Sequence, residues 1–337
     1  MRDALLGFIA ICGYLYYCYK FGSPDLGNND FYRYQEMVER PFDLSATSAP
    51  FVLRQIPTFV AYLFYKCGIF YDTKTNLDLI LPGAIETKKV FFALILSNTL
   101  AAAASFAVAL AYIRQKAQNN DILVSFSYLG IMLSYFYFPF SIVAPLTYGW
   151  GWLASAILAI GLLDKRLLMI CCGCLMALFS RESILIFSLA LSMFAWAGFG
   201  RRDVFYVQSA GMVAVACAML LVMRIFLVHG YEHQFGLQSV VTNILSFSPT
   251  REFLFQGLIP QAIFIVLLLS LSKKHGSYAL ALFLAIIPVI LVVIGAGITT
   301  PGRVIGETLP FYAIIFLLAK IGGLVTVQTR PIQEVRT

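Results

Sequence analysis

The feature that most constrains this 337-residue chain is a series of apolar blocks, each roughly 16 to 25 residues long, divided by short charged or Gly/Pro-rich breaks. An α-helix rises about 1.5 Å per residue, so blocks of this length match a hydrocarbon core of about 30 Å. Inside such a core each backbone N–H and C=O must be satisfied within its own segment, and many of these blocks are apolar all round, which points to helices. Composition removes the soluble alternative. Hydrophobic residues make up 60% of the chain and charged residues 12%, with a mean hydropathy of +0.82, whereas soluble domains carry about 25% charge. The expected fold is all-α, a polytopic transmembrane helical bundle forming a single integral membrane domain over 1–337.

About ten spans meet the length criterion. The first is Ala4–Tyr19, followed by Val90–Ile113, Ile122–Phe138, Thr147–Leu163, Leu167–Ser180, Ser183–Gly200, Val204–Val228, Phe253–Ser272, Ser277–Ile298 and Leu309–Val327. The long segment 20–89 is the one large extramembrane piece, and 328–337 is a short tail. Lys and Arg in short loops resist translocation and set orientation. With the N-terminus inside, Arg2, Arg114, Lys116, Lys165, Arg166, Arg201, Arg202, Lys273, Lys274, Arg330 and Arg336 all fall on the cytoplasmic side. Both termini are then cytoplasmic and segment 20–89 is extracytoplasmic. This parity requires the Arg181-Glu182 break to divide Leu167–Gly200 into two spans. The first span reads as an anchor, because its Tyr-rich end lacks a small-residue cleavage pattern. The net charge of +7 is then an orientation signal, and no Lys/Arg-rich run points to nucleic acid.

Segment 20–89 carries helical signals of its own. Phe31, Tyr34 and Met37 or Val38 recur at helical spacing after the Gly27-Asn28-Asn29 turn signal, which predicts a short interfacial helix beginning at Asp30. Asp30 can serve there as a helix N-cap or as a reactive carboxylate. A second apolar, aromatic stretch, Ile56–Phe70, is opened by Arg54-Gln55 and Pro57 and closed by Lys66 and Gly68, and reads as a helix lying in the interface.

The outer ends of the spans hold few polar residues: Arg181-Glu182, Arg224, His229 to His233, Thr250-Arg251-Glu252, and Thr299 to Glu307 with Arg303. Charges beside hydrocarbon cost a few kcal/mol each unless paired or facing a cavity. Arg181 with Glu182, and Arg303 with Glu307, read either as local ion pairs at helix ends or as the lining of an outward cavity for something anionic. Tyr135, Phe136, Tyr137, Phe138, Tyr148, Trp150 and Trp152 form either an aromatic belt at headgroup level or a binding wall. Cys171, Cys172 and Cys174 crowd one span without a histidine and read as packing residues.

A single span followed by Asp30-Phe31-Tyr32-Arg33-Tyr34, then Arg40-Pro41-Phe42 and Phe51-Val52-Leu53-Arg54-Gln55-Ile56-Pro57, resembles the GT-C superfamily of polytopic glycosyltransferases. Phe179-Ser180-Arg181-Glu182-Ser183 and the run from Arg303 to Phe311 are similar to small bacterial members. The layout covers nearly the whole chain, although each motif is short. The resemblance implies transfer of a sugar from a polyprenyl-phosphate donor to a glycan, lipid or protein acceptor at the extracytoplasmic face of a bacterial plasma membrane. Asp30 matches the general base, with Glu36, Asp25 and Asp43 as nearby substitutes. Arginine forks suit the lipid phosphate, so Arg54, Arg181, Arg224, Arg251 and Arg303, with Glu182 and Glu307 beside them, are the expected substrate-binding set. Asn28-Asn29 rather than a second carboxylate precedes Asp30, so no metal and no further cofactor is expected. A transporter or lipid flippase, or a non-catalytic subunit of a polysaccharide assembly, is the alternative reading. A transporter would gather its charges near the midplane rather than at one end.

Overall fold

The described residues are predominantly helical, with no strand among them. A computed structural model describes residues 5, 8–9, 11–12, 19–20, 30–47, 51–80, 82–117, 122–134, 148–199, 203–226, 241–243, 245–246, 262–295 and 305–321. The helices are α1 (Asp30–Glu39), α2 (Gln55–Lys66), α3 (Asn76–Ile80), α4 (Ile85–Ala117), α5 (Ile122–Ser134), α6 (Tyr148–Leu163), α7 (Leu167–Leu178), α8 (Ser183–Phe199), α9 (Val204–Phe226), α10 (Ala262–Gly295) and α11 (Leu309–Lys320). Single 3-10 turns occupy Phe51–Leu53 and Gly306–Thr308.

Among the described residues, three helical stretches are long and apolar enough to cross a membrane: Ile85–Lys116, Val204–Phe226 and His275–Val292. Five shorter apolar helices lie at Leu123–Met132, Tyr148–Leu163, Leu167–Leu178, Ser183–Trp196 and Ala262–Lys273. The expected first span, Ala4–Tyr19, lies mostly outside the described residues. Lys273 and Lys274 were expected to separate two spans, and α10 leaves helical backbone beside them, at His275 (φ −134°, ψ 51°).

Burial separates a centre from a periphery. The apolar window of α4 is 72% buried, whereas that of α9 is 17% buried. Helix α4 is the core column, packed against α6, α2 and α11, and its Ala101–Ala104 run lets neighbouring helices approach closely. Helix α6 continues the core onto α7, where a Cβ on Gly173 would lie 2.5 Å from Leu158 Cγ. Helix α9 instead turns Val215, Met219, Leu221, Val222, Ile225 and Phe226 outward. Soluble monomers rarely expose so continuous an apolar surface. In a bilayer the lipid tails cover it.

The hydrophilic groups gather at two opposite ends. Asp164 accepts a hydrogen bond from the Tyr112 hydroxyl at 2.8 Å and pairs with Lys116 at 2.7 Å, while Lys165 pairs with Asp203. Those contacts bring the end of α4, the α6–α7 turn and the start of α9 to one face. Lys165 adopts a left-handed φ of 54° to make that turn short. Residues 179–182, between α7 and α8, lie at the other end, so α7 leaves the Lys165 face and α8 returns to the Asp203 face. The Leu167–Gly200 block is thus broken at Arg181-Glu182, as parity demands.

Helix α1 follows its expected periodicity. Phe31, Tyr34, Met37 and Val38 are each at most 1% exposed, and Phe31 meets Phe91 of α4 edge to face. Helix α2 buries Gln55, Pro57, Thr58 and Ala61 and ends at Lys66, before Gly68 with its φ of 67°. A buried lysine fastens the rest of this segment: Lys88 Nζ lies 3.0 Å from Asp72 Oδ1 and from both carboxylate oxygens of Asp78. Charge-assisted hydrogen bonds of this kind contribute about 1.5–3 kcal/mol. Lys88→Met is therefore expected to lower unfolding stability by about 1–3 kcal/mol, measured by thermal or denaturant unfolding in detergent. The Thr75 backbone N–H, with Lys88, holds the Asp78 carboxyl below its ordinary value of 3.8. Its stabilisation is therefore complete above that value and lost as the pH falls through the lower folded one. An unchanged stability in the variant would remove Lys88 from this role.

Candidate functional site

The break between α7 and α8 sets down two adjacent charges, Arg181 and Glu182, on the end of the bundle opposite Lys165. Three other elements converge there. The 3-10 turn Phe51–Leu53 delivers Arg54 to the start of α2, and the Ile56 N–H donates to the Phe179 carbonyl at 3.3 Å, docking α2 on the break. Helix α9 brings Arg224 in its last turn. The 3-10 turn Gly306–Thr308, anchored by Pro310 in the first turn of α11, brings Glu307.

The charges pair across elements rather than along the chain. Glu182 Oε1 lies 3.1 Å from Arg224 Nη2 and 3.5 Å from Arg54 Nη2. Arg54 Nη1 donates to the Tyr34 hydroxyl at 2.6 Å. Arg181 Nε lies 3.1 Å from Glu307 Oε1, but the N–H does not point along that line, so this contact is electrostatic rather than a hydrogen bond. The Ser183 hydroxyl donates to Glu307 Oε2. The local Arg181–Glu182 ion pair, one of the two readings open from sequence, is replaced by these long-range contacts. Two guanidinium forks on different helices converge on Glu182, whereas a neighbouring residue offers only one.

Helix α6 forms the floor. Tyr148 places its ring face 4.0 Å below the Arg181 guanidinium, a cation–π contact that holds the charge without neutralising it. Trp152 Nε1 donates to the Gly306 carbonyl at 3.0 Å and Ser155 Oγ to the Glu307 carbonyl at 2.7 Å, so α6 fixes the backbone of the Glu307 turn. At the head of α6 the Gly149 N–H donates to Asn98 Oδ1 at 2.6 Å, and a Cβ at Gly149 would fall 2.0 Å from the Asn98 carbonyl oxygen. Tyr148 and Trp152 are 3% and 2% exposed, so these two belong to the floor of the site and not to a headgroup belt. Neither they nor Ser183 stood out beforehand as partners of the charges. Tyr34, one helical turn after Asp30, carried the only sequence signal, its place on the buried face of α1.

Of the expected site residues, the fold brings together Arg54, Arg181, Glu182, Arg224 and Glu307. Asp30 begins α1 as expected, but its side chain lies outside the described residues. Arg251 and Arg303, with His229 to His233 and the aromatic run 135–138, also lie outside them. Among the described residues no group of three or more His, Cys, Asp or Glu side chains could hold a metal ion.

Among the described residues, three guanidinium groups and two carboxylates make up the cluster. Arg54 and Arg181 are each 7% exposed, Glu307 is fully buried, and Glu182 retains 20% side-chain exposure, so the cluster opens at Glu182. Burial works against ionising Glu182, but Arg54 and Arg224 overcome it and hold the carboxyl below its usual range. For Glu307 burial prevails over Arg181 and Ser183 and pushes the carboxyl above its usual range. Two N–H groups in the same cluster, Arg54 Nε and Arg181 Nη2, are buried with no hydrogen-bond partner among the described residues. Buried guanidinium N–H groups without a hydrogen-bond partner among the described residues suit an anion with several oxygens. Comparison with known proteins finds no matching family model, no similar curated protein and no similar solved structure.

The Arg181–Glu307 pair yields an asymmetric expectation, because a buried carboxylate can take up a proton and a guanidinium cannot lose one. Glu307→Gln keeps the shape of the group and removes a charge that burial already disfavours, so it is expected to cost no more than about 1 kcal/mol. Arg181→Gln leaves a buried ionisable carboxyl without its cation and is expected to cost more above the ordinary value of 4.5. Protonated Glu307 is favoured in the fold, so stability linked to it is complete below the ordinary value of 4.5 and declines as the pH rises through the folded value. The deficit of Arg181→Gln should therefore shrink on acidification toward that value while the deficit of Glu307→Gln does not. Unfolding measured at a series of pH values checks this, and equal, pH-independent losses would refute it.

Proposed function

We propose that this protein is a membrane glycosyltransferase that moves a sugar from a polyprenyl-phosphate donor to an acceptor at the extracytoplasmic face. The observation that carries the reading is the half-closed arginine cluster: Arg54, Arg181 and Arg224 with two carboxylates, in which Arg54 Nε and Arg181 Nη2 are buried with no hydrogen-bond partner among the described residues. A lipid phosphate at the membrane surface supplies oxygens for those donors, and the arginines stabilise the charge that develops as the phosphate leaves. Arg251 and Arg303 complete the expected binding set. Asp30 acts as general base toward the acceptor hydroxyl, starting one helical turn before Tyr34, whose hydroxyl is bonded to Arg54. No metal is required by this scheme.

In the proposed topology the shorter apolar helices also cross, giving about ten spans with both termini cytoplasmic in a bacterial plasma membrane. The Lys116, Asp164, Lys165 and Asp203 contacts at the face opposite the cluster support this alternation. Gathering of the charges at the two ends favours surface chemistry over transport, which would concentrate them near the midplane.

The test is sugar transfer by purified protein in lipid, from radiolabelled polyprenyl-phosphate sugars, comparing wild type with Asp30→Asn and Arg224→Gln. Wild type is expected to transfer from at least one donor. Asp30→Asn should lower the rate by roughly 100- to 10,000-fold, the usual contribution of a general base, and Arg224→Gln should weaken donor use. Transfer by no donor would overturn the enzyme reading, and full activity of Asp30→Asn would remove Asp30 from the base role.

A further inference from the structure

The Glu182 carboxylate occupies a place better suited to another anion. Its two ionic contacts both run through Oε1, so two guanidinium forks share a single oxygen. The contact to Arg54 is long, at 3.5 Å, while Arg54 Nε beside it has no partner among the described residues. Arginine forks are best used bidentately, two parallel N–H groups to two oxygens, and a phosphate group presents its oxygens in several directions where a carboxylate has two in one plane. Glu182 is also the less buried carboxylate of the cluster, at 20% exposure against 0% for Glu307. Glu307 is fixed from several sides, by Arg181, by Ser183 and, through its backbone, by Ser155. Glu182 sits in a short break between helices, and among the described side chains its carboxylate is paired with Arg54 and Arg224.

We infer that Glu182 is an internal counter-ion that keeps the arginine site closed, and that a phosphate group binds by displacing it from Arg54 and Arg224. The inference rests on the reading of the cluster as a phosphate site and adds its regulation. Unliganded, Glu182 supplies an anion to the Arg54 and Arg224 guanidinium groups. On binding, the phosphate takes over both forks and reaches the unused N–H groups of Arg54 and Arg181, and the released carboxylate turns toward the open side. No covalent step is involved. Binding is thereby an exchange of anions, and its affinity is lowered by the cost of expelling Glu182. The device favours ligands that outcompete a carboxylate, so a phosphate monoester is bound and a carboxylate-headed lipid of the same tail is not.

The experiment measures binding to full-length protein in lipid nanodiscs, using farnesyl phosphate, inorganic phosphate, farnesol and farnesoic acid as probes. Wild type is expected to bind farnesyl phosphate and to bind farnesol and farnesoic acid weakly. Glu182→Gln, which keeps the shape and removes the charge, is expected to bind farnesyl phosphate roughly tenfold tighter, the scale of one charge-assisted contact no longer lost on binding. Glu182→Asp, one methylene shorter, should fall between the two, and it decides the question if the glutamine variant does not fold. A parallel gain for inorganic phosphate identifies the phosphate group alone as the ligand, and a gain confined to farnesyl phosphate identifies the lipid headgroup. Unchanged or weaker binding by the folded Glu182 variants, with wild type still binding, overturns the exchange but leaves the phosphate site standing. Failure of wild type to bind any phosphate probe overturns both.

Discussion

Three guanidinium groups held largely away from water set the terms for one end of this molecule. A buried arginine cannot discharge itself, so its surroundings must supply anions, aromatic faces or hydroxyls. Glu182, Glu307, Tyr148 and Tyr34 meet that demand here, and they come from four different elements. Segment 20–89, the α7–α8 break, the end of α9 and the turn before α11 are all required to meet at one place. The cluster is therefore both the candidate site and the fastening that joins the elements around it.

Around that fastening the apolar helices do what lipid and packing require. Helix α4 supplies a buried column, α6 and α11 complete it, and α9 faces outward with an apolar surface. The opposite end has its own smaller network through Asp164, Lys165 and Asp203. Among the described residues the charged groups lie toward the two ends, and buried polar groups between them, such as Asn98, Thr99 and Ser105 of α4, are uncharged, which is an arrangement a bilayer tolerates. Chemistry is then confined to the ends, and the end with unused arginine donors is the one suited to a ligand.

The apolar blocks made the helices legible in advance, and the buried stripe of α1 was legible from Phe31, Tyr34 and Met37 because helical periodicity is a local property. The individual site residues Arg54, Arg181, Glu182, Arg224 and Glu307 were also legible, since a charge beside an apolar block is costly enough to stand out. Their partners were not. Arg181 is adjacent to Glu182 in sequence, yet it faces Glu307, 126 positions away, because adjacent side chains at a helix break can diverge toward different neighbours. Tyr148 and Trp152 looked equally suited to a headgroup belt. Aromatic composition is the same in either place, and only the position of α6 beneath Arg181 distinguishes them.

By itself, then, the sequence determined an all-helical chain with membrane-length apolar helices and a short roster of charges at their ends. Hydrophobic length and the cost of isolated charge are written residue by residue. Tertiary structure alone decided that, among the described residues, two carboxylates meet three arginines, that one carboxylate is buried and locked while the other stays partly exposed and shared, and that Arg54 and Arg181 keep buried N–H groups without a partner there. Those outcomes depend on distances between side chains far apart in the chain, and spacing along a sequence does not encode such distances.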